Sequence, residues 1–208
     1  MASSFASQIP VIVHLIAQLR PATMLDVGKG FGKYGFLAHE YSGISPTRRT
    51  DSSRTLAEQS NLVIDAVECN CDYLWPHLRH IYRTVYEGRV EELVSSLPGY
   101  DLVIMCDVIE HLTKDTGKEV VKTILASSSK MIVSTPRKFF AQGELYKSHD
   151  ERHISEWRPK DFKSFGVWVD WQNIDAGSVY MLSHNPYKIR GFGHDPLTRL
   201  RRVARACL

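Results

Sequence analysis

The chain has 208 residues, 43% of them hydrophobic and 24% charged, proportions that suit one globular domain with a sizeable core and exclude a disordered or fibrous chain. No apolar run is long enough to cross a bilayer. The net charge of +3 is concentrated in residues 186–208, where Lys188, Arg190, Arg199, Arg201, Arg202 and Arg205 face only Asp195; that local +5 leaves −2 for the rest, so the body is not a basic nucleic-acid binder by composition.

The first predicted element covers residues 5–19. Ile9, Ile12, Val13, Leu15, Ile16 and Leu19 recur at helical spacing. Pro10 falls in the first turn, where its missing N–H is harmless, and Pro21 ends the helix. A short apolar strand follows at 23–27 and runs into Gly28-Lys29-Gly30-Phe31-Gly32, after which a helix is expected over roughly 33–41. Glycine tolerates positive φ and lets the backbone approach a ligand closely. The amides of such a turn, with a helix start behind it, favour polar or anionic groups. A dinucleotide fingerprint would place its third glycine at position 33, which is Lys33 here.

Residues 42–61 are rich in serine, arginine, glycine and proline and read as a loop insertion at the sheet edge away from any ligand crevice. Leu62 to Glu68 is the second strand, ending in a carboxylate. An acid at that strand end can accept both ribose hydroxyls of a nucleotide. A helix over about 72–79, a third strand near 81–86 and Glu87-Gly88-Arg89 come next. Tyr100 to Cys106 is a near-continuous apolar run of the kind buried in a parallel sheet. It feeds Asp107-Val108-Ile109-Glu110-His111-Leu112, then a helix over about 115–127 and a fifth strand at 130–136. Strands alternating with helices imply a doubly wound, mostly parallel α/β sheet.

Residues 137–158 form a long connection with many aromatics and histidines, read as a lid over the crevice. A short helix begins at Pro159, and residues 167–171 and 178–182 suggest a late antiparallel hairpin. The basic tail has an apolar stripe at Leu200, Val203, Ala204 and Leu208, readable as a docked terminal helix or as one drawn to an anionic surface. The N-terminus lacks a basic n-region, and Cys69, Cys71, Cys106 and Cys207 lack zinc-like spacing, so a cytoplasmic protein with reduced thiols is expected.

The G-x-G-x-G turn after Leu25-Asp26-Val27 resembles the first motif of class I S-adenosylmethionine (SAM)-dependent methyltransferases. With Glu68, the Asp-Val-Ile-Glu-His-Leu segment and Thr135-Pro136 in order, the resemblance covers roughly residues 22–184. It implies a Rossmann-like methyltransferase fold for the single domain 1–208, with SAM as cofactor. Asp26, Gly28, Gly30, Gly32, Glu68, Gly88 and Asp107 would bind it. The acid that the family often has just after this glycine is replaced by Arg89. The motif set looks most like the ubiquinone, sugar and small-metabolite O-methyltransferases, which implies a small-molecule acceptor.

A narrower similarity joins Asp107, Glu110 and His111 to His153-Ile154-Ser155-Glu156-Trp157. It resembles the small-RNA 3′-end 2′-O-methyltransferases, in which such residues bind a divalent metal, and implies RNA as an alternative acceptor. The first acid here is Asp107 where that family has glutamate. Positions 107, 110 and 111 share one face of a helical turn, and carboxylates with imidazoles suit Mg, Mn, Fe or Zn. The plainer reading has Glu110 and His111 capping the next helix and His153 packing by Trp157. His111 and His153 are the candidates for general base or metal ligand, since histidine titrates in the useful range. A SAM-fold protein that binds without catalysis is a further alternative, and Lys33 disfavours a dehydrogenase.

Overall fold

The structure is a computed structural model that describes residues 4–42, 61–143, 149–187 and 189–193. Helix α1 (Ile9–Leu19) precedes strand β1 (Thr23–Val27) and helix α2 (Lys33–Ser42). Strands β2 (Val63–Glu68) and β3 (Thr84–Glu87) follow, then the short helix α3 (Val90–Leu93) and strand β4 (Leu102–Cys106). Helix α4 (Lys114–Ser127), strand β5 (Lys130–Pro136), helix α5 (Pro159–Lys163) and strands β6 (Trp168–Ile174) and β7 (Gly177–Ser183) complete the order.

The seven strands form one sheet in the order β3-β2-β1-β4-β5-β7-β6. The first five are parallel, and β7 runs antiparallel to both β5 and β6. The chain winds outward from β1 in one direction and from β4 in the other, so a crevice opens where their carboxyl ends diverge. Alternation along the strands sorts the core into two layers. Met24, Ile64, Leu102, Ile104 and Cys106 face Ile12, Leu15 and Ile16 of α1. Leu25, Val27, Val103 and Met105 face Val120, Val121 and Ile124 of α4, together with Trp157 and Phe162.

Three expectations need adjustment. The helix foreseen over 72–79 is two 3-10 turns, Cys71–Tyr73 and Pro76–His80. Trp75, directly before Pro76, is held extended, as a residue preceding proline must be. The third strand begins at Thr84 rather than at 81, because the amides of Ile81 and Tyr82 both turn back to Leu78 O. The short helix α3, with its 3-10 continuation Val94–Ser96, has no counterpart in the sequence reading. Most of the 42–61 insertion and the tail stripe from Leu200 to Leu208 lie outside the described residues. The start of the tail is docked: Ile189 and Phe192 are buried in the α1 layer, and Arg190 O accepts from His14 Nε2 at 2.7 Å.

Gly117 lies within α4 against the Trp157 indole. A Cβ added there would sit 2.5 Å from Trp157 Cζ2. In a free helix, glycine to alanine gains about 1 kcal/mol, whereas overpacking a core costs about 1–3 kcal/mol. Gly117→Ala is therefore expected to lower stability by up to about 2 kcal/mol in urea denaturation. A stabilised variant would show that the indole has room to move.

Candidate functional site

The crevice has a volume of about 400 Å³ and is lined by the ends of β1, β2 and β4 and by the returning lid. All three turn glycines adopt positive φ: 69° at Gly28, 53° at Gly30 and 81° at Gly32. At Gly28 a side chain would collide with Val108 at 2.3 Å, so the residue is fixed by packing. At Gly30 nothing lies within 4 Å of an added Cβ, so the turn presents bare backbone to the crevice.

Glu68 is 5% exposed; its Oε2 accepts from Gly30 N at 2.9 Å and its Oε1 from Asn70 N at 3.0 Å. A carboxylate has about four lone-pair sites, so it ties the turn and keeps acceptor capacity for a diol. Burial raises its pKa. Gly88, with φ 142°, donates its amide to Glu68 O at 2.9 Å and lines the same wall.

Asp26 does not face open solvent. It is 2% exposed and accepts a 2.6 Å hydrogen bond from the Tyr82 hydroxyl. Burial pushes its carboxyl up to about 6. Lys29, which the sequence reading passed over, is 5% exposed, and its Nζ donates to Gly30 O at 3.1 Å and Tyr73 O at 2.9 Å. A lysine between two turn glycines was the available signal, but only the fold shows that it turns inward.

Beyond β4, Asp107 takes the left-handed conformation with φ 55°. Its amide donates to Ser134 O at 3.0 Å, and its Oδ1 accepts from Ser134 Oγ at 3.1 Å. Its Oδ2 has no hydrogen-bond partner among the described residues. Glu110 is 2% exposed, and both its carboxylate oxygens lack a partner among the described residues. Burial, then the charge of Asp107, drives its pKa well above the ordinary carboxylate range.

His111 and His153 meet across the crevice mouth with ring centroids 5.0 Å apart. His111 Nδ1 lies 3.0 Å from Arg152 O, and His153 Nδ1 lies 3.2 Å from Phe140 O. A carbonyl only accepts, so each Nδ1 carries the proton and each Nε2 is left with its lone pair. Burial and the neighbouring His111 lower the pKa of His153. Glu110, His111 and His153 each offer a ligand atom within 4.8 Å of the others. Asp107, expected from sequence in the same cluster, stands outside this group, its carboxylate bonded to Ser134. A buried carboxylate without a donor, beside two imidazoles oriented by backbone carbonyls, fits a divalent cation.

The lid returns over the crevice through the 3-10 turn His149–Glu151. Asp150 Oδ1 pairs with the Arg89 guanidinium at 2.6 Å, and the Tyr73 hydroxyl donates to Glu151 Oε1 at 3.2 Å. Arg89, the departure noted in sequence, thus pairs with the segment that lines the crevice from the far side of the sequence.

This sheet order is that of the Rossmann-like methyltransferase fold. No protein-family model matches the chain. Among solved structures, it is similar to the methyltransferase domain of bacterial CtHen1-CN, with 18% identity over 85% of this chain and 97% of that one and a TM-score of 0.57. It is also similar to monomeric WbdD, with 15% identity over 92% of this chain, 44% of that one and a TM-score of 0.60. An O-methyltransferase family protein from Burkholderia thailandensis shares 12% identity over 87% of this chain and 57% of that one, with a TM-score of 0.57. The chain thus spans about half the length of the latter two proteins and nearly all of the first. At these identities the likeness is one of fold.

The raised Asp26 pKa has a defined consequence for stability. Its contribution is full below the ordinary value of 3.8 and is lost as pH rises through about 6. The loss amounts to roughly 3 kcal/mol. Asp26→Asn keeps an acceptor for Tyr82 and cannot ionise. Urea denaturation from pH 4 to 7 should therefore show wild type losing stability relative to the variant across that window. A constant difference between the two would refute the assignment.

Proposed function

We propose that the protein transfers the methyl group of SAM to a hydroxyl oxygen of a small metabolite or sugar. The observation that carries this is the meeting of His111 and His153, with free Nε2 lone pairs, in the crevice that the glycine turn and Glu68 also line. Glu68 would accept the ribose hydroxyls, and the bare backbone at Gly30 would take the amino-acid side of the cofactor. Gly28, Gly88 and Asp107 also line that wall, whereas Asp26, bonded to Tyr82, and Gly32, packed against Leu78, stand behind it and support the turn.

The sulfonium already activates its methyl group, so the protein's main task is alignment, which contributes about 7–11 kcal/mol in well-oriented reactions. An acceptor oxygen attacks the methyl carbon, and the S–CH₃ bonding pair passes to sulfur. The acceptor's proton goes to Nε2 of His153 or His111. The lowered pKa of His153 keeps its ring neutral, as a base must be, near pH 7. Phe140, edge-on to His153 at 4.5 Å, forms an apolar wall beside that nitrogen.

A second reading, metal-assisted 2′-O-methylation of an RNA 3′ end, is favoured by the two unpartnered oxygens of Glu110. Glu110, His111 and His153 would hold the cation, which would supply Lewis acidity to the acceptor hydroxyl. The first reading is preferred because Asp150 and Glu151 line the crevice and disfavour a polyanion.

Release of S-adenosylhomocysteine should be measured over sugars, small vicinal diols and a short RNA with a free 3′ end. Turnover on a hydroxylated small molecule is expected. His153→Ala should lower kcat about 10²–10⁴-fold and leave SAM affinity nearly unchanged. Turnover confined to RNA and abolished by a chelator would favour the second reading, and failure to bind SAM would refute both.

A further inference from the structure

We infer that Tyr73 and Gln142 are positioning residues for His153, Tyr73 holding it from across the crevice and Gln142 passing that hold to its backbone. This rests on His153 acting as the base proposed above and adds the residues that fix its place.

Tyr73 ends the 3-10 turn Cys71–Tyr73 beyond β2. It is 8% exposed, and its ring packs on Phe31 of the glycine turn with centroids 5.1 Å apart. Its carbonyl accepts from Lys29 Nζ at 2.9 Å. These contacts fix the residue on the glycine-turn side. Its hydroxyl reaches the other way and donates to Glu151 Oε1 at 3.2 Å. Burial raises the pKa of the phenol, so it stays protonated and serves as the donor. Glu151 lies two residues before His153. Its carbonyl accepts from Gln142 Nε2 at 2.7 Å. Gln142 O in turn accepts from His153 N at 3.3 Å, and Phe140 O lies 3.2 Å from His153 Nδ1.

Residues 140–142 and 151–153 thus pass each other in opposite directions, with Gln142 bonded to both ends of the second segment. Alternate side chains, Phe140 and Gln142 on one segment and Glu151 and His153 on the other, line the crevice. On its other side His153 is followed by Ile154 and Ser155, whose amides are bonded to Glu110 O. That end alone leaves the histidine at the margin of a fixed segment, with freedom to swing about it. The tie to Tyr73 supplies the second point of attachment, and the Arg89–Asp150 pair draws the same turn to the same side. Two attachments on opposite sides fix a position where one fixes only a radius. For a reacting group this matters, since a misplacement of about 1 Å can cost on the order of 10²-fold in rate. Tyr73 also touches the glycine turn, so one residue sets the base and the proposed cofactor turn relative to each other.

Amide hydrogen exchange resolved by NMR reads this attachment without any acceptor. Tyr73→Phe keeps the ring on Phe31 and the carbonyl on Lys29, and deletes only the donor. Gln142→Met deletes the donor to Glu151 O at similar side-chain length. Each should raise exchange at His153 N about 2–10-fold, the range of one neutral hydrogen bond. The Ile154 and Ser155 amides should exchange as in wild type, whereas a general loss of stability would raise all three. The double variant should exceed either single one only slightly, because both act on one attachment. Glu151→Gln, which keeps an acceptor for Tyr73, should match wild type, and Glu151→Ala should match Tyr73→Phe. On an acceptor that supports turnover, Tyr73→Phe should lower kcat on the order of 10-fold and leave KM for SAM unchanged. Unchanged exchange at His153 in either variant, or a rise at all three amides, overturns the positioning and leaves His153 standing as the base. Raised exchange at His153 alone with kcat unchanged overturns its role as the base.

Discussion

The site depends on one indole. Trp157 Nε1 donates to Ile109 O at 3.1 Å and to Ser155 Oγ at 2.8 Å, while Ser155 Oγ itself reaches Ile109 O at 3.3 Å. The amides of Ile154 and Ser155 both donate to Glu110 O, at 2.9 and 3.1 Å. The lid's return strand is thereby sewn to the 3-10 turn Ile109–His111. Trp157 is 1% exposed and packs on Phe162, which packs on Tyr180. His153 therefore extends from a segment fixed in the core, four residues from its anchor. Without that anchor the ring, 5.0 Å from His111, would be held only from within a long surface connection, by Phe140 O and Gln142 O.

The same crevice concentrates charges that burial makes expensive. Asp26, Glu68 and Glu110 are each at most 5% exposed, and burial raises the pKa of all three. Lys29, equally buried, is pushed the other way. Elsewhere the protein compensates buried charge fully: Asp65, with no exposed surface, is matched by Arg83 and the Tyr100 hydroxyl. At the crevice the compensation is incomplete, the usual mark of groups kept for a ligand or a proton. The contacts that hold the lid across the opening are of the weaker, half-exposed kind. Arg89–Asp150 is such a pair, worth about 0–1 kcal/mol, so ligand exchange does not require unfolding the core.

The apolar strands were legible in the sequence because parallel strands buried on both faces read as unbroken hydrophobic runs, as in Leu102 to Met105. The positive-φ glycine turn and the strand end at Glu68 were legible as local structure, because glycine spacing and the end of an apolar run mark them. The split of Cys71–His80 into two 3-10 turns has one sequence signal, Pro76, which disfavours a helical residue before it. What the sequence could not convey is side-chain direction over long separations. Lys29 turning in to Tyr73, Asp26 meeting Tyr82 and Arg89 crossing to Asp150 each join residues more than forty positions apart. The 107/110/111 spacing suggested one shared face. The fold instead sends Asp107 to Ser134 and gathers Glu110 and His111 with His153.

That divergence traces to a single backbone conformation. Asp107 has φ 55°, a region that disfavours side chains other than glycine, asparagine and aspartate and costs of order 1–3 kcal/mol where it persists. The two hydrogen bonds to Ser134, one from the amide and one to Oδ1, offset that strain from the neighbouring strand β5. An extended residue at this point would carry the chain straight on from β4. The left-handed one bends it, so that Ile109 enters the core, Glu110 is driven beneath the lid and His111 emerges at the mouth. Asp107 lines the crevice beside the glycine turn, and the turn it starts brings Glu110 and His111 together with His153. One strained residue thus decides how the exit of β4 divides between the glycine turn on one side and the Glu110, His111 and His153 cluster on the other.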